Sequence, residues 1–195
     1  YTPLTRVKLN GCVDIKEGAF RQCKNLATID WKWVKHISKD AFSECSFRQI
    51  EFNTSIDNIP AGAFKNNGKL ENIVFNGKGI CIENEAFYNC NRLKNISIKQ
   101  IGNIGERAFS YTGVEKVCFA DIKSIENYAF ASSECLQSVF IKCKEEMLSV
   151  GENIFEGCVN LNEIWIDHDG EEKIAKEAFP HTTSIYVVQG SSIEK

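Results

Sequence analysis

Nine cysteines and three histidines are the residues of this 195-residue chain best suited to chemistry. Thiolates and imidazoles bind metals, or act as nucleophile and base, only where they converge. His36, His168 and His181 are scattered through the sequence. His168 and His181, with Asp167 and Asp169, form one set that neighbouring chain segments could bring together, as a weak metal site or as ordinary solvated loop residues. No Cys-x-x-Cys pair supports a zinc ribbon or a thioredoxin-like motif. Phosphate loops, nucleophile elbows, His-Glu-x-x-His helices and dinucleotide fingerprints are also missing from the sequence. No catalytic residue, cofactor or metal site is expected, and the chain reads as non-enzymatic.

Composition narrows the classes further. A net charge of -3 with Lys and Arg dispersed gives no basic stripe for nucleic acid. No apolar run approaches the roughly 20 residues that cross a bilayer, so membrane insertion is not expected. The odd number of cysteines leaves at least one thiol without an intramolecular partner. Three prolines and no low-complexity stretch suggest a single domain over residues 1–195. The chain begins at Tyr1 with no signal-peptide pattern, which points to a removed leader or to a piece of a longer protein.

What organises the chain is a repeat. Ala-Phe, once Ile-Phe, recurs with phenylalanines at 20, 42, 64, 87, 109, 130, 155 and 179, giving spacings of 22, 22, 23, 22, 21, 25 and 24 residues. That period falls in the range of leucine-rich repeats, about 20–29 residues. Five residues before each Phe stand Ile15, Ile37, Ile59, Ile82, Ile104, Ile125, Val150 and Ile174. About six residues after it come Leu26, Phe47, Leu70, Leu93, Val114, Leu136, Leu161 and Ile185, the second and fifth one residue early. An apolar-x-apolar pair follows, as in Ile29/Trp31, Ile50/Phe52, Ile73/Phe75, Val117/Phe119, Val139/Ile141 and Ile164/Ile166.

Such alternation predicts a strand with one buried face. Each coil alone cannot bury that face, whereas stacked coils share a continuous core. The expected fold is α/β: a right-handed leucine-rich-repeat solenoid with one parallel sheet of about nine short strands, and short helical or 3-10 turns opposite. A partial first repeat (1–10) precedes about eight repeats of 21–25 residues, with a short tail at 189–195.

Segments such as Ile104–Phe109 (Ile-Gly-Glu-Arg-Ala-Phe) and Ala86–Ile98 make the chain resemble the BspA-like class of leucine-rich repeats over nearly its whole length. The Asn ladder of ordinary leucine-rich repeats is replaced by Val34, Ile101, Ile122, Lys144 or Asp169. Three residues after each Phe runs a different ladder: Cys23, Cys45, Asn67, Cys90, Thr112, Ser133, Cys158 and Thr182. These small polar residues should satisfy backbone groups where a short turn ends. Cys23 and Cys45 are adjacent in the stack, close enough for a disulfide, although parallel side chains favour two free thiols. The resemblance implies an extracellular or cell-surface protein that adheres to other cells or host proteins.

Residues between the two buried members of each strand must face outward: Asp30, Glu51, Val74, Ser97, Cys118, Phe140 and Trp165. Adjacent outward aromatics are unusual on a solvated sheet. Val74, Cys118, Phe140 and Trp165 are therefore the candidate ligand- or partner-binding residues on the expected concave face, with Trp33 a weaker one. The partner would be a protein or glycan, such as one of the host matrix or a cell surface. The same aromatics could instead pack on each other or on a neighbouring module. The alternatives to adhesion are a purely structural repeat segment, to which the missing N-terminal cap points, and an intracellular scaffold, which unpaired thiols would suit. The sequons at Asn53 and Asn95 bear only on a secreted eukaryotic protein.

Overall fold

A computed structural model describes residues 4–11, 13–52, 56–98, 100–143, 149–168 and 184–189. The chain enters with β1 (Arg6–Val7), β2 (Val13–Ile15), β3 (Thr28–Ile29) and β4 (Val34–Ile37). It continues through β5 (Gln49–Phe52), β6 (Asn58–Ile59), β7 (Asn72–Phe75) and β8 (Ile80–Ile82). Next come β9 (Asn95–Ser97), β10 (Ile101–Ile104), β11 (Lys116–Ala120) and β12 (Ser124–Ile125). β13 (Ser138–Cys143), β14 (Ser149–Val150), β15 (Glu163–His168) and β16 (Ser184–Gln189) complete it. All pairings among them are parallel.

The solenoid expectation holds, but its α/β description and its single sheet do not. Among the described residues, the helix is confined to one 3-10 turn, Trp31–Trp33. Two strand ladders run along the coil. One is divided into β1-β3, β5-β7-β9 and β11-β13-β15-β16, so among the described residues its strands do not join in one continuous sheet. The other contains β2-β4 and β14-β12-β10-β8-β6. This second ladder is built on the isoleucines five residues before each Phe, which pair in register as Ile59↔Ile82↔Ile104↔Ile125↔Val150.

Turns, not helices, form the third side. The Phe backbone N–H donates to the next coil's carbonyl: Phe20 to Ala41, Phe42 to Ala63, Phe64 to Ala86, Phe87 to Ala108, Phe109 to Ala129 and Phe130 to Ile154, at 2.8–2.9 Å. Two residues either side of each Phe, the chain is left-handed, at Asp40, Glu44, Glu85, Asn89, Arg107 and Tyr111 among others, with φ near +55°. A non-glycine residue there costs roughly 1–2 kcal/mol. That conformation aims its N–H at the next coil, as in Glu44 to Lys65 (2.8 Å) and Glu85 to Glu106 (2.8 Å). Left-handed residues on both sides of the Phe interrupt any α-helix, which explains why the expected helical turns are missing.

The phenylalanines stack as a spine. From Phe20 to Phe155 successive rings lie 5.3–5.7 Å apart with planes within 25°, and from Phe42 onward they are fully buried. The polar ladder beside them ties coil to coil. The thiols of Cys45, Cys90 and Cys158 donate to the carbonyls of Phe20, Phe64 and Phe130 at 3.1–3.2 Å. The Asn67 amide donates to Phe42 and Phe64 (2.8 and 2.9 Å), and the Ser133 hydroxyl to Phe109 (2.8 Å). Cys23 and Cys45 are free thiols.

Three sequence assignments need correction. Trp31 is not the second residue of a strand: β3 ends at Ile29 and Trp31 opens the 3-10 turn, buried with its ring 5.2–5.9 Å from Phe42, Phe47, Phe52 and Phe64. Ile185 pairs with Ile164 and so belongs to the strand, not to the Leu161 column. β16 also runs to Gln189, the first residue assigned to the tail. Ile174, Phe179 and Thr182 lie outside the described residues.

Candidate partner-binding site

Strands β11, β13, β15 and β16 make the longest uninterrupted part of the first ladder. Alternation sends Val117/Phe119, Val139/Ile141 and Ile164/Ile166 into the core, where all are buried. The residue between them is turned outward. Register then lines up Cys118↔Phe140↔Trp165↔Tyr186, one residue per strand.

Three of these form an aromatic stack. Phe140 and Trp165 have ring centroids 5.9 Å apart and planes within 2°, while Trp165 and Tyr186 are 4.4 Å apart at 16°. Phe140 is 44% exposed and Tyr186 42%, with Trp165 half-buried between them. Each aromatic pair contributes about 0.5–1.5 kcal/mol beyond area burial, so the stack holds its own side chains in place. The Trp165 indole N–H donates to the Glu163 carboxylate (3.3 Å), and Lys142 pairs with Asp167 (2.9 Å) along the flank. Stacking turns the ring faces toward one another and their edges to solvent. The outer face of Phe140 lies over the small, exposed Cys118.

The four sequence candidates are only partly brought together. Cys118, Phe140 and Trp165 share the column. Val74 lies half-buried in the three-stranded sheet, between Glu51 and Ser97, beyond a break in the ladder. Tyr186 was missed because phase was counted from Phe179, which set Ile185 one column early. The alternation Ile185-Tyr186-Val187 was the signal that could have found it. Trp33 is half-buried in its turn with the Lys32 ammonium 5.1 Å from the ring centroid.

A second aromatic cluster, also missed, lies on the turn side. Tyr88 and Tyr111 meet edge to face at 5.4 Å. Lys65 covers Tyr88 and Arg107 covers Tyr128, each 4.9 Å from the ring centroid. These rings are occupied by cations of their own surface.

Other candidates for chemistry are less supported. His181 and Asp169 lie outside the described residues, as does the side chain of His168. Among the described residues no group of three His, Cys, Asp or Glu is placed to hold a metal ion, and no helix is long and apolar enough to cross a membrane. Burial pushes the Cys45, Cys90 and Cys158 thiols up to about 12, which leaves them unreactive at neutral pH. The Asn95 amide donates to Asn72 (2.7 Å), and the Asn53 sequon lies outside the described residues.

A model of the BspA type leucine-rich repeat region, in 6 copies, matches residues 1–115 and 102–194. No curated protein sequence matches the chain. Among solved structures, a leucine-rich repeat protein from Bacteroides ovatus superposes with a TM-score of 0.70 at 18% identity, over 95% of this chain and 54% of that one. The pneumococcal vaccine antigen PcpA does so with a TM-score of 0.58 at 16% identity, over 95% of this chain and 63% of that one. The chain thus spans between half and two thirds of these structures, and at such identities the likeness shows the fold.

Proposed function

From the premise that this chain belongs to the BspA-type leucine-rich repeat family, we propose that it is a non-enzymatic recognition module. It binds a protein partner through Cys118, Phe140, Trp165 and Tyr186, at a cell surface or after secretion. The observation that carries this reading is the outward Phe140–Trp165–Tyr186 stack on the longest unbroken part of the ladder. Aromatics are favoured at interface hot spots, and a stack that is already ordered loses little entropy on binding. The pneumococcal neighbour, a vaccine antigen, supports an exposed location.

Ring orientation favours a protein over a glycan. A sugar stacks on a ring face, and here both faces of Trp165 and the inner faces of Phe140 and Tyr186 are taken up within the stack. Protein side chains can pack along the edges, with one apolar or planar group on the outer Phe140 face above Cys118.

The test is a screen of the wild-type protein against matrix proteins, intact cells and a glycan array, beside a Phe140→Ala/Trp165→Ala double variant. Protein or cell binding that the variant loses supports the proposal. Binding confined to glycans contradicts the assigned partner class. Binding by neither would make the chain a spacer within a longer protein.

A further inference from the structure

Near the N-terminal end the same ladder is interrupted, and the interruption forms a recess. Ahead of β3, β7, β9 and β13 the preceding residue donates its N–H to the coil before it: Ala27 to Thr5 (3.0 Å), Glu71 to Arg48 (2.8 Å), Lys94 to Glu71 (3.0 Å), Gln137 to Glu115 (2.8 Å). Among the described residues no such bond joins Arg48 to Ala27, and β3 and β5 belong to different sheets. A cavity of about 620 Å³ opens there.

Its walls have a definite chemistry. Ile29 and Trp31 form an apolar floor. Arg48 and Lys69 line the recess with their side chains exposed; Arg48 is 77% exposed and only 3.9 Å from Glu71, a loose ion pair. Glu51 also lines it, but its carboxylate accepts from the Asn76 amide (3.2 Å). The backbone completes the site. β5 pairs with β7 through the Arg48 carbonyl, with Gln49 opposite Asn72. Neighbouring residues of a strand direct their peptide groups to opposite sides, so those of Gln49 and Glu51 face β3 across the recess.

We infer that this recess is a second binding site, separate from the aromatic column, for an extended peptide segment of a partner in which apolar and acidic residues alternate. The peptide groups of β5 that face the recess can pair with an added strand, the mode by which sheet edges take up peptides. The Ile29/Trp31 floor takes the apolar side chains. The two cations at the rim take the acidic ones.

The experiment uses the full chain and a capped, fluorescent heptapeptide of alternating valine and glutamate, followed by anisotropy. The expected result is saturable binding that falls about ten-fold or more, equivalent to about 1.4 kcal/mol, in an Arg48→Glu/Lys69→Glu variant. Both positions are exposed, and circular dichroism checks that the variant folds. Methylation of alternate peptide amides should abolish binding. The Phe140→Ala/Trp165→Ala variant should bind as the wild type does, which keeps this site distinguishable from the column. Absence of saturable binding would overturn the inference. So would equal affinity of the charge-reversed variant or of the methylated peptide.

Discussion

At the residue scale the phenylalanine spine is the main stabilising feature. Phe87 is fully buried and stacks at 5.4 Å on both Phe64 and Phe109. Truncation to alanine leaves a cavity between rings that the backbone ladders hold apart, so Phe87→Ala should cost about 3–5 kcal/mol in urea denaturation. A loss below about 1 kcal/mol would contradict the stacking. The thiols make a second prediction. Cys45, Cys90 and Cys158 sit at about 12 against an ordinary 9.0, chiefly through burial. Between those values the unfolded chain has lost these protons and the folded one retains them. Stability should therefore be intact below about pH 9 and fall as pH rises toward 12, and replacing the three by alanine should make that fall shallower in pH-dependent denaturation. The spine was legible because one residue type recurs at a fixed period. The left-handed turn positions were not: Gln22, Glu44, Asn89 and Tyr111 share that conformation but no side-chain chemistry.

At the element scale, neighbouring coils press closely enough to exclude side chains. A Cβ on Gly105 would lie 2.6 Å from the Asn84 backbone N and 2.7 Å from the Glu83 carbonyl carbon. Gly105→Ala should thus destabilise by about 1–3 kcal/mol through forced backbone movement, read as a lowered urea midpoint. The ladder breaks have a simple sequence correlate. β5 and β11, the strands that begin new sheets, follow the two units whose apolar residue, Phe47 or Val114, arrives one residue early. The irregular spacing was plain in the sequence. In the second unit the Ser46 N–H still reaches the Leu26 carbonyl (2.9 Å), but among the described residues no bond joins Arg48 to Ala27. The second strand ladder was hidden for another reason: its column of isoleucines was seen, but strands of two to four residues are too short to show a clear alternation.

At the scale of the whole molecule, the hydrogen bonds between coils join residues about one repeat apart. Stability in such a stack is set by nearest neighbours, so Phe20, partly buried and among the described residues stacked on Phe42 alone, should tolerate alanine better than Phe87, a difference that parallel urea titrations would read. The recognition surface belongs to this scale as well, because its column takes one side chain from each of four coils. Three members were visible in the outward-facing positions, and the fourth, Tyr186, required register.

The most direct test is an alanine scan of Phe140, Trp165 and Tyr186 against a captured protein partner, with Tyr88 and Tyr111 on the turn side as controls. The column should lose about 2 kcal/mol or more at one or more positions, roughly 30-fold in affinity, with melting temperatures lowered by no more than the few degrees that lost stacking costs and intact binding in the controls. Loss at the turn-side tyrosines with none in the column would place recognition on the opposite side of the coil and contradict the assignment.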